Sequence, residues 1–141
     1  DARIGRRYIP ADWVNNLSPA DICLAADYPK SKNANLIRDS VMRLIRLSEK
    51  YYQSGACGYH YLPWRAHFSI AIAARVYQQI GIQILATGIT WHQGRQVTNG
   101  LTKLCCSVFA SKSLHTRLSF FEKKNHQSSL HTSLKGLPNV E

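Results

Sequence analysis

The first thirteen residues, Asp1-Ala-Arg-Ile-Gly-Arg-Arg-Tyr-Ile-Pro-Ala-Asp-Trp13, hold the densest chemistry in the chain. One carboxylate, three guanidinium groups and a phenol lie within eight residues. A carboxylate can ligate a divalent cation, and arginine forks grip phosphate oxygens. The other side chains with chemical potential are dispersed. Tyr77 falls in an Ala-rich segment, and Arg95 and Lys103 lie beyond it. His60 and His67 are too far apart for one helical turn and Pro63 lies between them, so they make poor metal ligands. His92, His115, His126 and His131 have no evident catalytic partner. The cysteines, Cys23, Cys57, Cys105 and Cys106, form no C-x-x-C pair, which argues against zinc and for buried free thiols in a reducing compartment.

These residues need helices to place them. Gly5 suits the end of a short helical turn, and Pro10 the start of another through Trp13 and Val14. Ser18 can cap a helix opened by Pro19, with Asp21 at the positive end of its dipole. Pro29 to Asn33 reads as a polar linker. From about Asn33 to Gly55, Ile37, Val41, Leu44, Ile45, Ser48 and Tyr52 recur at helical spacing. Asp39, Arg43, Arg46 and Lys50 stripe another face, where Asp39 and Arg43 are ordered for an i,i+4 pair. That stripe reads as a solvated face.

Pro63 opens a second long helix, Trp64 to Ala86. Ile70 to Ala74 are apolar nearly all round, the pattern of a central, enclosed helix. The small residues Ala73, Ala74 and Gly81 allow close approach by a neighbour. Gly88 to Gly100 reads as a connector, and Leu101 to about Leu118 as a third helix. Residues 121–141 are polar, contain Gly136 and Pro138, and read as a mobile tail. No strand alternation and no internal repeat appear.

Composition narrows the class. At 141 residues, 45% hydrophobic and 18% charged, the chain can build one globular core. The formal charge of +10 attracts polyanions, which include nucleic acid, anionic lipid and diphosphates. Its only tight basic clusters are Arg3/Arg6/Arg7 and Lys123/Lys124. No helix-turn-helix, zinc or stacking-platform pattern accompanies the charge, so a basic nucleic-acid-binding module is the lesser reading and no nucleic-acid partner is expected. The apolar run Phe68 to Ile89 is broken by Arg75, Gln78, Gln79 and Gln83, against a membrane span. No signal peptide is visible, which points to the cytoplasm. Met42 is the only methionine, which favours a fragment or a processed chain.

The N-terminal string resembles the segment that closes the second aspartate-rich motif of squalene/phytoene synthases, D-x-x-x-D then x-x-x-G-R-x-Y-[LI]-P-x-x-W, and the bacterial phytoene-forming members in particular. Tyr51-Tyr52-Gln-Ser-Gly-Ala56 resembles the family's Y-Y-x-x-A-x-x-G region, with Gly58 three residues short of Leu62-Pro63. Ala73-Ala-Arg-Val-Tyr77-Gln-Gln-Ile-Gly81 is similar to its A-x-x-x-Y-x-x-I-G helix. These motifs follow in order across roughly residues 1–110.

The resemblance implies an all-α fold, with residues 1–120 as the C-terminal part of an isoprenoid synthase bundle. It implies head-to-head joining of two geranylgeranyl diphosphates to phytoene. One allylic diphosphate leaves, the cation couples to the second chain through a cyclopropyl intermediate, that intermediate ionises and rearranges, and proton loss ends the reaction. The family requires Mg²⁺ or Mn²⁺, and proton loss in place of reduction means no NADPH. By resemblance Asp1 is a metal ligand, and Arg6, Tyr8, Arg95 and Lys103 contact substrate diphosphate. Tyr77 stabilises a passing carbocation through its ring. Arg7 is not a motif position. A squalene-, dehydrosqualene- or hydroxysqualene-forming member is the alternative, disfavoured by Arg6-Arg7-Tyr8-Ile9-Pro10 where squalene synthases carry R-x-F-W-P. The first aspartate-rich motif is absent from these residues, so the 141 residues alone are expected to be inactive. A bundle in this state is expected to expose the apolar face of Trp64–Ala86. Lipid-soluble precursors and a basic surface also imply peripheral contact with anionic membrane.

Overall fold

Three of the four α-helices begin where a side chain accepts from an early backbone amide. Ser18 caps α1 (Pro19–Asp27) with a reciprocal capping box: its hydroxyl accepts from Asp21 N–H, and its own N–H donates to the Asp21 carboxylate. The Ser31 hydroxyl accepts from Ala34 N–H and starts α2 (Lys32–Ala56), so the polar linker is shorter than its composition implied. Pro63 precedes α3 (Trp64–Ala86), whose bounds match the sequence expectation. Asn99 Oδ1 accepts from Thr102 N–H at 2.7 Å at the start of α4 (Gly100–His115). Short 3-10 turns cover Ala2–Ile4, Ala11–Val14, Tyr59–Tyr61 and Ser128–Leu134. The computed structural model describes residues 1–88, 90–93, 97–115 and 126–135, and all regular structure among them is helical.

The described residues fall into two units, 1–48 with 79–97, and 49–78 with 98–141. In the first unit Val14, Ile22, Ala25, Ala34 and Ile37 form the core, with Ala2, Ile9, Leu17, Leu36, Val41 and Trp91 packed around it. Val14 and Ile37 are fully buried, each worth about 1.5–3 kcal/mol of apolar burial. The amphipathic period of α2 explains this: Ala34, Ile37 and Val41 lie on one face, while Arg38, Asp39, Arg43 and Arg46 are exposed. The second unit buries Ser54, His67, Ala71, Thr98, Cys106 and Ala110.

Several expectations change. Helix α3 is apolar but not enclosed: Ile70, Tyr77, Ile82 and Leu85 are exposed, as expected of a partly covered bundle. The cysteines are free, yet only Cys106 is buried and Cys105 is exposed. Residues 128–134 of the tail are helical, and Tyr51 and Ser54 bond to the segment carrying them: Tyr51 donates to Leu130 O at 3.2 Å, and Ser54 Oγ accepts from Gln127 N–H at 3.2 Å. No helix among the described residues is long and apolar enough to cross a membrane.

Candidate functional site

The N-terminal residues are laid out by a turn and a connector. The Asp1 carbonyl accepts from Ile4 N–H at 2.9 Å and Arg6 N–H at 3.2 Å. Gly5 ends the turn at φ 75°, a left-handed conformation that favours glycine. Residues 6–8 then run outside any helix, with Arg6 and Tyr8 exposed to solvent. The Asp1 side chain is exposed and makes no capping bond. Asp1, Arg6 and Tyr8 thus share one short segment of the first unit.

Trp13 fastens this segment to α2. Its carbonyl accepts from Ser40 Oγ at 3.0 Å, and the Arg43 guanidinium carbon lies 3.9 Å from its ring centroid. At a solvent-accessible site such a cation–π contact is worth about 0.5–1 kcal/mol. The expected Asp39–Arg43 pair is therefore replaced: Arg43 turns to the indole, and Asp39 pairs with Arg38 at 3.7 Å. Both members of that pair are exposed, so it adds little. Arg7, outside the motif, donates from Nη1 to Leu17 O at 2.7 Å.

Tyr77 and Lys103 belong to separate helices of the second unit, α3 and α4. The Tyr77 ring is exposed to solvent and does not project from an enclosed helix as expected. Beside it, burial raises the Tyr52 phenol above its ordinary pKa, with Tyr77 and Glu49 adding to the effect. The Glu49 carboxylate accepts from Gln53 Nε2 at 2.9 Å and from Gln78 Nε2 at 3.1 and 3.2 Å. Burial likewise raises Tyr59, partly offset by the positive charge of Arg75, and its ring tilts against buried His67 at 5.5 Å. Lys103 is exposed. Arg95 lies outside the described residues.

Sequence reasoning missed Arg7, Ser40, Glu49 and Gln78. Glu49 and Gln53 are one helical turn apart, so that bond carries a readable signal; the others depend on partners far along the chain.

The chain matches the squalene/phytoene synthase family over residues 1–102. It belongs to that family. It is 37% identical over 112 residues to a phytoene synthase of Pseudescherichia vulneris, covering 78% of this chain and 34% of the relative. It is 33% identical over 111 residues to a 15-cis-phytoene synthase of Enterobacter agglomerans, covering 79% and 36%. A 15-cis-phytoene synthase of Paracoccus sp. (strain N81106 / MBIC 01143) is 36% identical over 104 residues, covering 74% and 32%. No solved structure matches the chain. The chain therefore spans about a third of the length of these curated relatives. The family match takes in the Asp1–Trp13 string, the Tyr51-Tyr52 region and the Tyr77 helix, and supports the all-helical fold class.

Family members that use prenyl diphosphates depend on divalent metal. Among the described residues of this chain no three His, Cys, Asp or Glu side chains gather to hold one. Asp1 offers a single carboxylate, whereas magnesium is held through a near-octahedral set of oxygens. The described residues do not make a metal site by themselves.

Proposed function

We propose that the protein carrying this chain is a phytoene synthase, joining two geranylgeranyl diphosphates head to head with loss of both diphosphates and a proton. The observation that carries the reading is the identity to phytoene synthases at 33–37% over 111–112 residues, together with the Gly5-Arg6-Arg7-Tyr8-Ile9-Pro10 string of this chain. In this reading residues 1–120 are the C-terminal part of the synthase domain. Arg6 and Tyr8, presented together on the exposed connector, contact the substrate diphosphate, as do Arg95 and Lys103. A guanidinium there neutralises charge that grows on the leaving diphosphate. The exposed Tyr77 ring faces a prenyl cation, a contact worth on the order of 1–2 kcal/mol once desolvated.

Mg²⁺ or Mn²⁺ is the proposed cofactor, with no NADPH, and Asp1 is the residue of this chain that would ligate the metal. Bound metal supplies Lewis-acid stabilisation of diphosphate. The described residues do not by themselves complete its site. Squalene-type chemistry gains no support from relatives named as phytoene synthases, and the nucleic-acid reading rests on net charge alone. The basic surface supports peripheral contact with anionic membrane, with the protein otherwise in the cytoplasm.

The test is incubation of the full-length protein with geranylgeranyl diphosphate and Mg²⁺, without NADPH, and chromatography of the products. Phytoene is expected. Absence of turnover by a folded, metal-loaded protein refutes the reading. Co-sedimentation with vesicles that does not respond to anionic lipid refutes the membrane contact.

A further inference from the structure

Arg6 and Tyr8 sit on a segment whose own side chains do little to hold it. Ala2 before it and Ile9 after it pack against the first unit's core, while residues 3–8 are exposed. An exposed run of this kind stays ordered only as far as its backbone is tied down. Three ties lie at its near end: Ile4 N–H to Asp1 O at 2.9 Å, Gly5 N–H to Ala2 O at 3.0 Å and Arg6 N–H to Asp1 O at 3.2 Å. Another comes from Arg7, whose Nη1 donates to Leu17 O at 2.7 Å across ten residues. Leu17 is a fixed point, because its side chain packs on the core and the next residue, Ser18, caps α1.

We propose that Arg7 is a positioning residue: its bond to the Leu17 carbonyl straps down the backbone between Arg6 and Tyr8 and so presents both to a diphosphate. This rests on the reading of Arg6 and Tyr8 as diphosphate contacts. Arg7 lies between them and acts through them. A charged donor bonded to a carbonyl is among the stronger hydrogen bonds available to an exposed segment. Freed from it, the connector samples other arrangements, and apparent affinity falls by the fraction of time the competent one is lost.

The experiment uses inorganic pyrophosphate with Mg²⁺ as probe, titrated by NMR into the full-length protein that carries this chain and into its variants, with ¹⁵N relaxation on the same samples. Arg7→Met is expected to weaken pyrophosphate binding about tenfold. Arg3→Met removes the same charge from the adjoining turn without touching the strap, and is expected to change affinity less than about threefold because exposed charges are screened. Arg7→Lys, which can still donate one N–H to Leu17 O, is expected to recover most of the loss. Backbone order parameters at Arg6 to Tyr8 are expected to fall from about 0.85 toward 0.6 in Arg7→Met alone. Equal losses in Arg7→Met and Arg3→Met would make Arg7 a generic charge and overturn the proposal. Loss-free binding in Arg6→Met, or no binding by any variant, refutes the diphosphate reading itself. The order parameters then decide the strap: unchanged values in Arg7→Met overturn it.

Discussion

Gly81 marks a place where α3 runs so close to α2 that a single methyl group decides the outcome. A β-carbon at that position would stand 3.2 Å from Ile45 Cγ2. Carbon atoms prefer about 3.5–4.0 Å, so something must move by a few tenths of an ångström. Ile45 cannot easily yield. Its Cγ2 is attached directly to Cβ, and a β-branched side chain inside a helix has one strongly preferred χ1 rotamer. The strain passes to the helix backbones, and overpacking of this kind costs about 1–3 kcal/mol. Against it, replacing a helical glycine by alanine gains about 1 kcal/mol of helix propensity. Gly81→Ala is therefore expected to destabilise the protein by about 0–2 kcal/mol. In an Ile45→Ala background the crowding methyl is gone, and the same change is expected to stabilise by about 1 kcal/mol. Urea denaturation of the four proteins closes the cycle, with equal m-values as the check that only stability has changed. If Gly81→Ala stabilises both backgrounds equally by about 1 kcal/mol, the close approach does not exist and the reasoning fails.

Three further outcomes follow from the caps, the core and the partly buried phenols. Ser18→Ala removes the α1 capping box and is expected to cost about 1 kcal/mol in urea denaturation. The Ser18 side-chain and backbone bonds hold the Asp21 carboxyl below its ordinary pKa. Its stabilising effect is therefore present above the unfolded Asp value and lost as pH falls through the lower folded one, so Ser18→Ala should flatten the acid limb of the stability curve. An unchanged acid limb would count against the box. Ile37→Ala, at a fully buried core position, is expected to cost about 2–5 kcal/mol, and a loss below about 1 kcal/mol would place Ile37 outside the core. Tyr52 and Tyr59, raised first by burial, are expected to ionise late in an ultraviolet titration, and Tyr52→Phe and Tyr59→Phe should each delete a late component. Their contribution is full below the unfolded tyrosine value and lost as pH rises through the higher folded one.

The features readable from sequence share a short reach. The Ser18 cap and the bounds of α3 are set by residues within one helical turn, where a side chain meets its own helix whatever the rest of the fold does. The α2 core face was readable for the same reason. Periodicity names the apolar residues, but not the surface that covers them. That is why the apolar pattern of α3 suggested enclosure, while Ile82 remains 54% exposed. The expected Asp39–Arg43 pair failed because the Trp13 ring, brought beside Arg43 by the fold, offers the guanidinium a face to stack on. Likewise Arg7–Leu17 and Gln78–Glu49 join positions ten and 29 residues apart, beyond any local pattern.

The consequence is clearest at the N-terminus. A G-R-x-Y pattern identifies Arg6 and Tyr8 by type, and treats the residue between them as free to vary. Type alone does not make a binding site, because a guanidinium on a wandering backbone loses affinity in proportion to the time it spends elsewhere. In this chain the variable position holds the donor that ties the connector to Leu17. A motif thus records the atoms that meet the ligand. The groups that keep those atoms in place can differ from one family member to the next, provided each supplies some tie of its own. A member with a non-donating residue at this position is therefore expected to restrain its connector elsewhere, and grafting that residue onto this chain without the compensating tie should weaken diphosphate binding.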